Sequence, residues 1–100
     1  MKYDVSILTD GEHDIENAFV WYEIQQIGLG VSFFNSLDSA IIYISNNPFS
    51  CGIVHKNVRR YVIKKFPYGV YYKVNETKKA IQIIGIFHFK RSVKVVRKRK

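Results

Sequence analysis

Apolar and polar positions alternate at the start of the chain. Tyr3, Val5 and Ile7 stand against Lys2, Asp4 and Ser6, which predicts a half-buried strand over Lys2 to Leu8. Thr9, Asp10 and Gly11 then supply turn and cap chemistry. Glu12, Asp14 and Glu16 follow, acids that suit the N-terminal end of a helix. Ile15, Ala18, Phe19, Tyr22 and Gln26 recur at spacings of three and four and predict a helix with a mostly apolar inner face. Gly28-Leu29-Gly30 ends it, one glycine serving as the left-handed cap. These glycines lack a longer phosphate-binding pattern and a preceding strand, so they read as an interhelix turn. A second helix is expected from about Val31 to Ser45. Its stripe is Phe33, Phe34, Leu37, Ala40, Ile41 and Ile44, and Asn46-Asn47-Pro48 stops it. The short connection makes the two helices an antiparallel hairpin.

The period then changes. Arg60 to Lys65, Val70 to Val74 and Ala80 to Phe89 are rich in Val, Ile, Tyr and Phe and predict strands, with a shorter one near Ile53 to His55. Phe66-Pro67-Tyr68-Gly69 joins the first two, and Asn75 to Lys79 forms the next hairpin loop. The expected fold is α+β: an N-terminal strand, a two-helix hairpin and an antiparallel β-meander, with the helices packed on one face of the sheet. Residues 1–90 read as one domain and 91–100, where six of ten residues are basic, as a C-terminal tail. Val93, Val95 and Val96 leave a short β or helical segment open within that tail.

Charge changes the picture most. Residues 1–50 carry one base, Lys2, against seven acids, whereas residues 51–100 carry fifteen bases against one acid, Glu76. A field this lopsided attracts a polyanion or an acidic protein to one side of the molecule. Cys51 is the single cysteine, so no intrachain disulfide forms and a reducing cytoplasm fits. No Cys/His spacing marks a metal site, and nothing marks a cofactor or a small-molecule substrate. No secretory signal and no apolar run of membrane-spanning length is visible.

The second half also carries an ordered set of motifs: Arg59-Arg60, then Lys65-Phe66-Pro67-Tyr68-Gly69-Val70-Tyr71-Tyr72, then Ile84-Gly85-Ile86-Phe87-His88-Phe89-Lys90-Arg91. With Trp21-Tyr22, the Gly28-Leu29-Gly30 turn into Phe33-Phe34, and Asn47-Pro48, the chain resembles the RelE/ParE superfamily of bacterial type II toxin–antitoxin systems over nearly its whole length. The Phe-Pro-Tyr turn and the His-x-x-Arg of His88 and Arg91 carry most of the likeness. By themselves Phe66, Pro67 and Tyr68 read as a fixed turn with two rings under the helices. Tyr71 and Tyr72 alternate along a strand, so one faces the core and the other the open face, where an outward tyrosine can stack on a base. Tyr72 is assigned to that open face.

The resemblance implies a growth-inhibiting toxin held by an acidic antitoxin, with two mechanisms open. RelE-like members cleave mRNA on the ribosome, whereas ParE-like members bind DNA gyrase without chemistry of their own. Cleavage by a 2′-hydroxyl needs a proton acceptor, a proton donor and cations for the phosphorane charge. His88 suits the proton transfers, and Arg91 and Arg60 the charge. Lys56, Arg59, Lys64, Lys65, Tyr72 and Lys90 are the expected RNA contacts. Lys94, Arg97, Lys98 and Arg99 are the expected antitoxin contacts. The reading leans toward mRNA cleavage, although the Lys/Arg-rich C-terminus departs from the compact His-Tyr or Arg-Tyr ending of ribonucleolytic members. A basic nucleic-acid-binding module without toxicity is a third reading.

Overall fold

The computed structural model describes residues 2–99, with the side chains of residues 91–93 outside the description. Strand β1 (Asp4–Ile7) leads into helices α1 (Thr9–Gln25) and α2 (Leu29–Asn46). Strands β2 (Ile53–His55), β3 (Val58–Val62), β4 (Tyr68–Asn75) and β5 (Ala80–His88) follow. A single 3-10 turn, Phe89–Arg91, passes into helix α3 (Ser92–Arg99). The sheet order is β1-β5-β4-β3-β2. β2 through β5 form the expected antiparallel meander, and β1 pairs in parallel with β5, Asp4 opposite Ala80 and Ile7 opposite Ile83. The α+β architecture read from the hydrophobic pattern is the one observed.

The hairpin forms where the glycines require it. Gly28 adopts φ 91°, a left-handed conformation that costs a residue with a Cβ about 1–2 kcal/mol. Gly30 lies against α1 so closely that a Cβ there would meet the Phe19 carbonyl oxygen at 2.7 Å. The Glu23 carboxylate caps the turn, accepting the Gly28 and Gly30 N–H groups at 2.9 Å each.

α2 supplies most of the helical side of the main core. Its Phe33, Leu37, Ala40 and Ile44, with Ala18 of α1, cover Val70, Tyr72, Ile81, Ile83 and Ile86 of the sheet. Phe66 lies among them in edge-on contact with Tyr22 and Phe33, with ring centroids 4.9 and 5.3 Å apart.

Strand β5 carries a bulge. Tyr71 pairs with Gly85 while Tyr72 pairs with Ile83, which leaves Ile84 as the extra residue. The bulge lets β5 furnish two apolar faces in quick succession. Ile83 and Ile86 enter the core under the hairpin, whereas Ile84 and Phe87 join Val58 and Tyr71 on the opposite side. There α3 packs on them through Val96, with Val95 beside it. The segment read as a tail therefore folds back as a helix on the second face of the sheet. No helix among the described residues is long and apolar enough to cross a membrane.

Candidate nucleic-acid and partner interface

Alternation along the strands decides which cations share a surface. Arg60 leaves β3 on the α3 side of the sheet, where its side chain runs over Gly69 and its guanidinium carbon sits 5.4 Å from the centre of the Phe89 ring. Arg59 points to the opposite side. It donates to the carbonyls of Cys51 at 2.6 Å and Phe49 at 3.5 Å, and stacks on the Phe49 ring at 5.2 Å. Those bonds brace the loop entering β2, so adjacent arginines serve two different surfaces.

His88 lies directly opposite Tyr68 and shares its face, the hairpin side, with the two rings 5.8 Å apart. Its Nδ1 accepts the Lys90 N–H at 3.1 Å, which leaves Nε2 as its outward nitrogen. The Phe89 ring stands between the two candidates, 6.3 Å from the His88 ring and in contact with the Arg60 guanidinium. His88 and Arg60 meet at one end of the sheet without converging on one point. The side chain of Arg91, the third expected catalytic residue, lies outside the described residues.

Exposed Lys64 and Lys65, in the turn between β3 and β4, sit at that same end, since Pro67 accepts a hydrogen bond from the Phe89 N–H. Exposed Lys90 is there too. Lys56 is not: it occupies the β2–β3 turn, at the other end of β3. The basic end thus gathers Arg60, Lys64, Lys65, His88 and Lys90, a surface suited to phosphate contacts.

The structure corrects the choice of tyrosine. Tyr72 is fully buried under the hairpin, and its hydroxyl donates to the Pro48 carbonyl at 3.0 Å, so it cannot stack on a base. Desolvation, with the neighbouring Cys51 thiol, pushes its phenol well above the ordinary range. Its place was readable in the sequence, because Val70, Tyr72 and Val74 occupy one face by period two. Tyr71 is the residue on the open side, stacked on Phe87 at 4.0 Å and 8°. It is also fully buried, because α3 covers it.

Of the expected antitoxin contacts, Lys94, Arg97 and Lys98 are exposed on α3. Arg99 is drawn back onto α1: Nη2 donates to Asp14 Oδ1 at 3.1 Å, Nη1 to Oδ2, and Nε lies 3.7 Å from Asp10. These hydrogen bonds raise the Arg99 pKa above its ordinary value. Among the described residues no three His, Cys, Asp or Glu side chains gather as a metal site.

No protein-family model and no curated protein sequence matches the chain. Solved structures do. A chain of the chromosomal ParDE toxin–antitoxin system from P. aeruginosa is similar at a TM-score of 0.75 and 13% identity, covering 87% of this chain and 96% of its own. The E. coli toxin RelE, a double mutant in the free state, is similar at 0.64 and 14%, covering 99% and 94%. A chain of the toxin–antitoxin complex RelBE2 from Mycobacterium tuberculosis is similar at 0.62 and 13%, covering 88% and 99%. The chain has the fold of these toxin–antitoxin structures, as the motif resemblance implies.

Proposed function

We propose that this chain is the toxin of a type II toxin–antitoxin pair and that it acts by binding its target, in the manner of ParE-like toxins on DNA gyrase. The observation that carries the choice of mechanism is the placement of Arg60 and His88 on opposite faces of the sheet, with the Phe89 ring between them. Cleavage needs proton transfer and charge stabilisation at one phosphate, within hydrogen-bond reach of both groups. A binding toxin needs only a complementary surface. The antitoxin expected is acidic, laid over the basic half, with Lys94, Arg97 and Lys98 among its contacts.

A second reading, ribosome-dependent mRNA cleavage, draws on the grouping of Lys64, Lys65, Lys90 and His88 at one end of the sheet, a surface that suits RNA phosphates. Two assays on the purified chain separate them. Inhibition of gyrase supercoiling with intact reporter mRNA in cell-free translation supports the binding toxin. New 5′ ends inside translated codons, present only with ribosomes and lost in His88→Ala, overturn it in favour of the cleaving one. If both assays stay silent and salt-sensitive binding to any RNA or DNA remains, the chain is a basic nucleic-acid-binding module.

A further inference from the structure

The part of the open sheet face that α3 leaves uncovered holds a polar hollow, away from the basic end. The strand register builds its floor. Ser6, Gln82 and Lys73 stand side by side across β1, β5 and β4. Their chain neighbours Val5, Ile7, Ile81, Ile83, Tyr72 and Val74 belong to the core under the hairpin, so these three side chains leave on the α3 side. Gln82 is exposed, since α3 rests further along β5, on Ile84 and Phe87. In the next row Ala80 lies opposite Asn75, and its small side chain keeps the floor low. Asn57 from the β2–β3 turn, with Glu76 and Lys78 from the β4–β5 loop, completes a hollow of about 530 Å³. Asn75 Oδ1 accepts the Lys78 N–H at 3.0 Å, which fixes the loop and leaves the Asn75 amide hydrogens for other acceptors. Lys79 turns its ammonium away, onto the Tyr3 ring at 5.6 Å. Lys73 and Lys78 are the cations of the hollow, and neither is ion-paired with Glu76 among the described residues.

We propose that this hollow binds a small phosphorylated polyol, a free sugar phosphate. Two ammonium groups suit one phosphate. The amides of Asn57, Asn75 and Gln82 and the Ser6 hydroxyl both donate and accept, whereas Glu76 only accepts. A bare phosphate would meet Glu76 as a like charge, so the ligand must bring hydroxyl donors beside its anion. Among the described residues no aromatic ring lines the hollow, so nothing there calls for a stacked base. Asp4, opposite Ala80 on β1, adds a second acid beside the floor and opposes a polyanionic strand laid across it. The site is independent of the toxin reading: Tyr68 and His88, which mark the basic end, lie at the opposite ends of β4 and β5 from Asn75 and Ala80.

The test titrates the full chain, isotopically labelled, at one ionic strength. The probes are ribose 5-phosphate, inorganic phosphate, ribose and a 5′-phosphorylated ribotrinucleotide, which carries the same group at a strand end. NMR follows the side-chain amides of Asn57, Asn75 and Gln82, which lie in the hollow and not at the basic end. The expected result is saturable one-to-one shifts of these amides with ribose 5-phosphate, at a Kd on the order of 0.1–1 mM, with the other three probes at least about tenfold weaker. Lys73→Ala combined with Lys78→Ala should weaken ribose 5-phosphate by about tenfold or more. Glu76→Gln should weaken it too, while leaving inorganic phosphate unchanged or tighter. Glu76 and Lys78 are exposed, so Glu76→Gln and Lys78→Ala alone test the site even if the loss of Lys73 disturbs folding. Inorganic phosphate binding as tightly as the sugar phosphate, indifference to the lysine changes, a preference for the trinucleotide, or no saturable shift would each overturn the proposal.

Discussion

Asp14 and Arg99 join the first helix to the last. The Asp14 carboxylate receives two N–H groups of the Arg99 guanidinium and also the backbone N–H of Ile86 at 3.0 Å. The last contact has a topological cause. β1 ends at Ile7, opposite Ile83, so β5 continues to His88 with no strand among the described residues beside it on that edge. Asp14 supplies the acceptor that the missing strand would have offered. Gly85 lets Arg99 pass, since a Cβ there would run into its guanidinium.

Removing Asp14 should therefore cost more than removing Arg99. Asp14→Ala strands both a partly buried cation and a backbone donor, and a loss of about 2–3 kcal/mol is expected in urea denaturation. Arg99→Ala should cost about 1 kcal/mol, because Asp14 keeps the Ile86 N–H. In the Asp14→Ala background, Arg99→Ala should add little further loss. Additive losses would mean that the two side chains are not coupled.

How much was legible follows from how local each feature is. The strand, the helical hairpin and the meander were readable because each is written in period-two or helical spacing, and Gly28-Leu29-Gly30 announced a left-handed turn that Gly28 makes. α3 was not decided, because Val93, Val95 and Val96 fit either period and its stability comes from Tyr71, Ile84 and Phe87, remote in sequence. The bulge at Ile84 was invisible for the same reason: it depends on pairing with β4. At the candidate site the faces of the expected residues required a register, which no local pattern supplies. Arg59 and Arg60 read as one basic pair and prove to serve opposite sides.

The adjacent tyrosines should respond oppositely to loss of a hydroxyl. Tyr72→Phe removes the bond to the Pro48 carbonyl and leaves that buried group without its donor, at a cost of about 1–2 kcal/mol. The Tyr71 hydroxyl is buried and has no hydrogen-bond partner among the described residues. Tyr71→Phe should be neutral or stabilising by up to about 1 kcal/mol, since no bond is lost and a desolvated hydroxyl is removed. Chemical denaturation of both variants checks the pair. A large loss for Tyr71→Phe would show that its hydroxyl is satisfied in solution.

The interhelix turn makes a ranked prediction. Gly28→Ala meets open space and suffers only the backbone strain of its positive φ, about 1 kcal/mol. Gly30→Ala pushes a methyl into the Phe19 carbonyl, a backbone atom, and should cost more than Gly28→Ala by separating the helices. Glu23→Ala removes the acceptor of two N–H groups at the start of α2 and should cost about 1 kcal/mol, with Glu23→Gln retaining part of it. Thermal midpoints in this order would support the observed approach of the helices.

Stability should fall in alkali for a traceable reason. Burial raises the phenol pKa of Tyr72, and burial with the nearby Tyr68 raises that of Tyr22. A phenol whose folded pKa exceeds its unfolded value of about 10 holds its proton in the folded chain after the unfolded chain has lost it. The stabilisation is complete below about pH 10 and drains away as pH rises toward the folded values. Urea midpoints measured from pH 8 to about 11 should decline more steeply for the native chain than for Tyr72→Phe, so that the gap between them narrows. Parallel declines would place the alkaline loss in the lysines instead, and would mean that the Tyr72 phenol ionises as readily folded as unfolded.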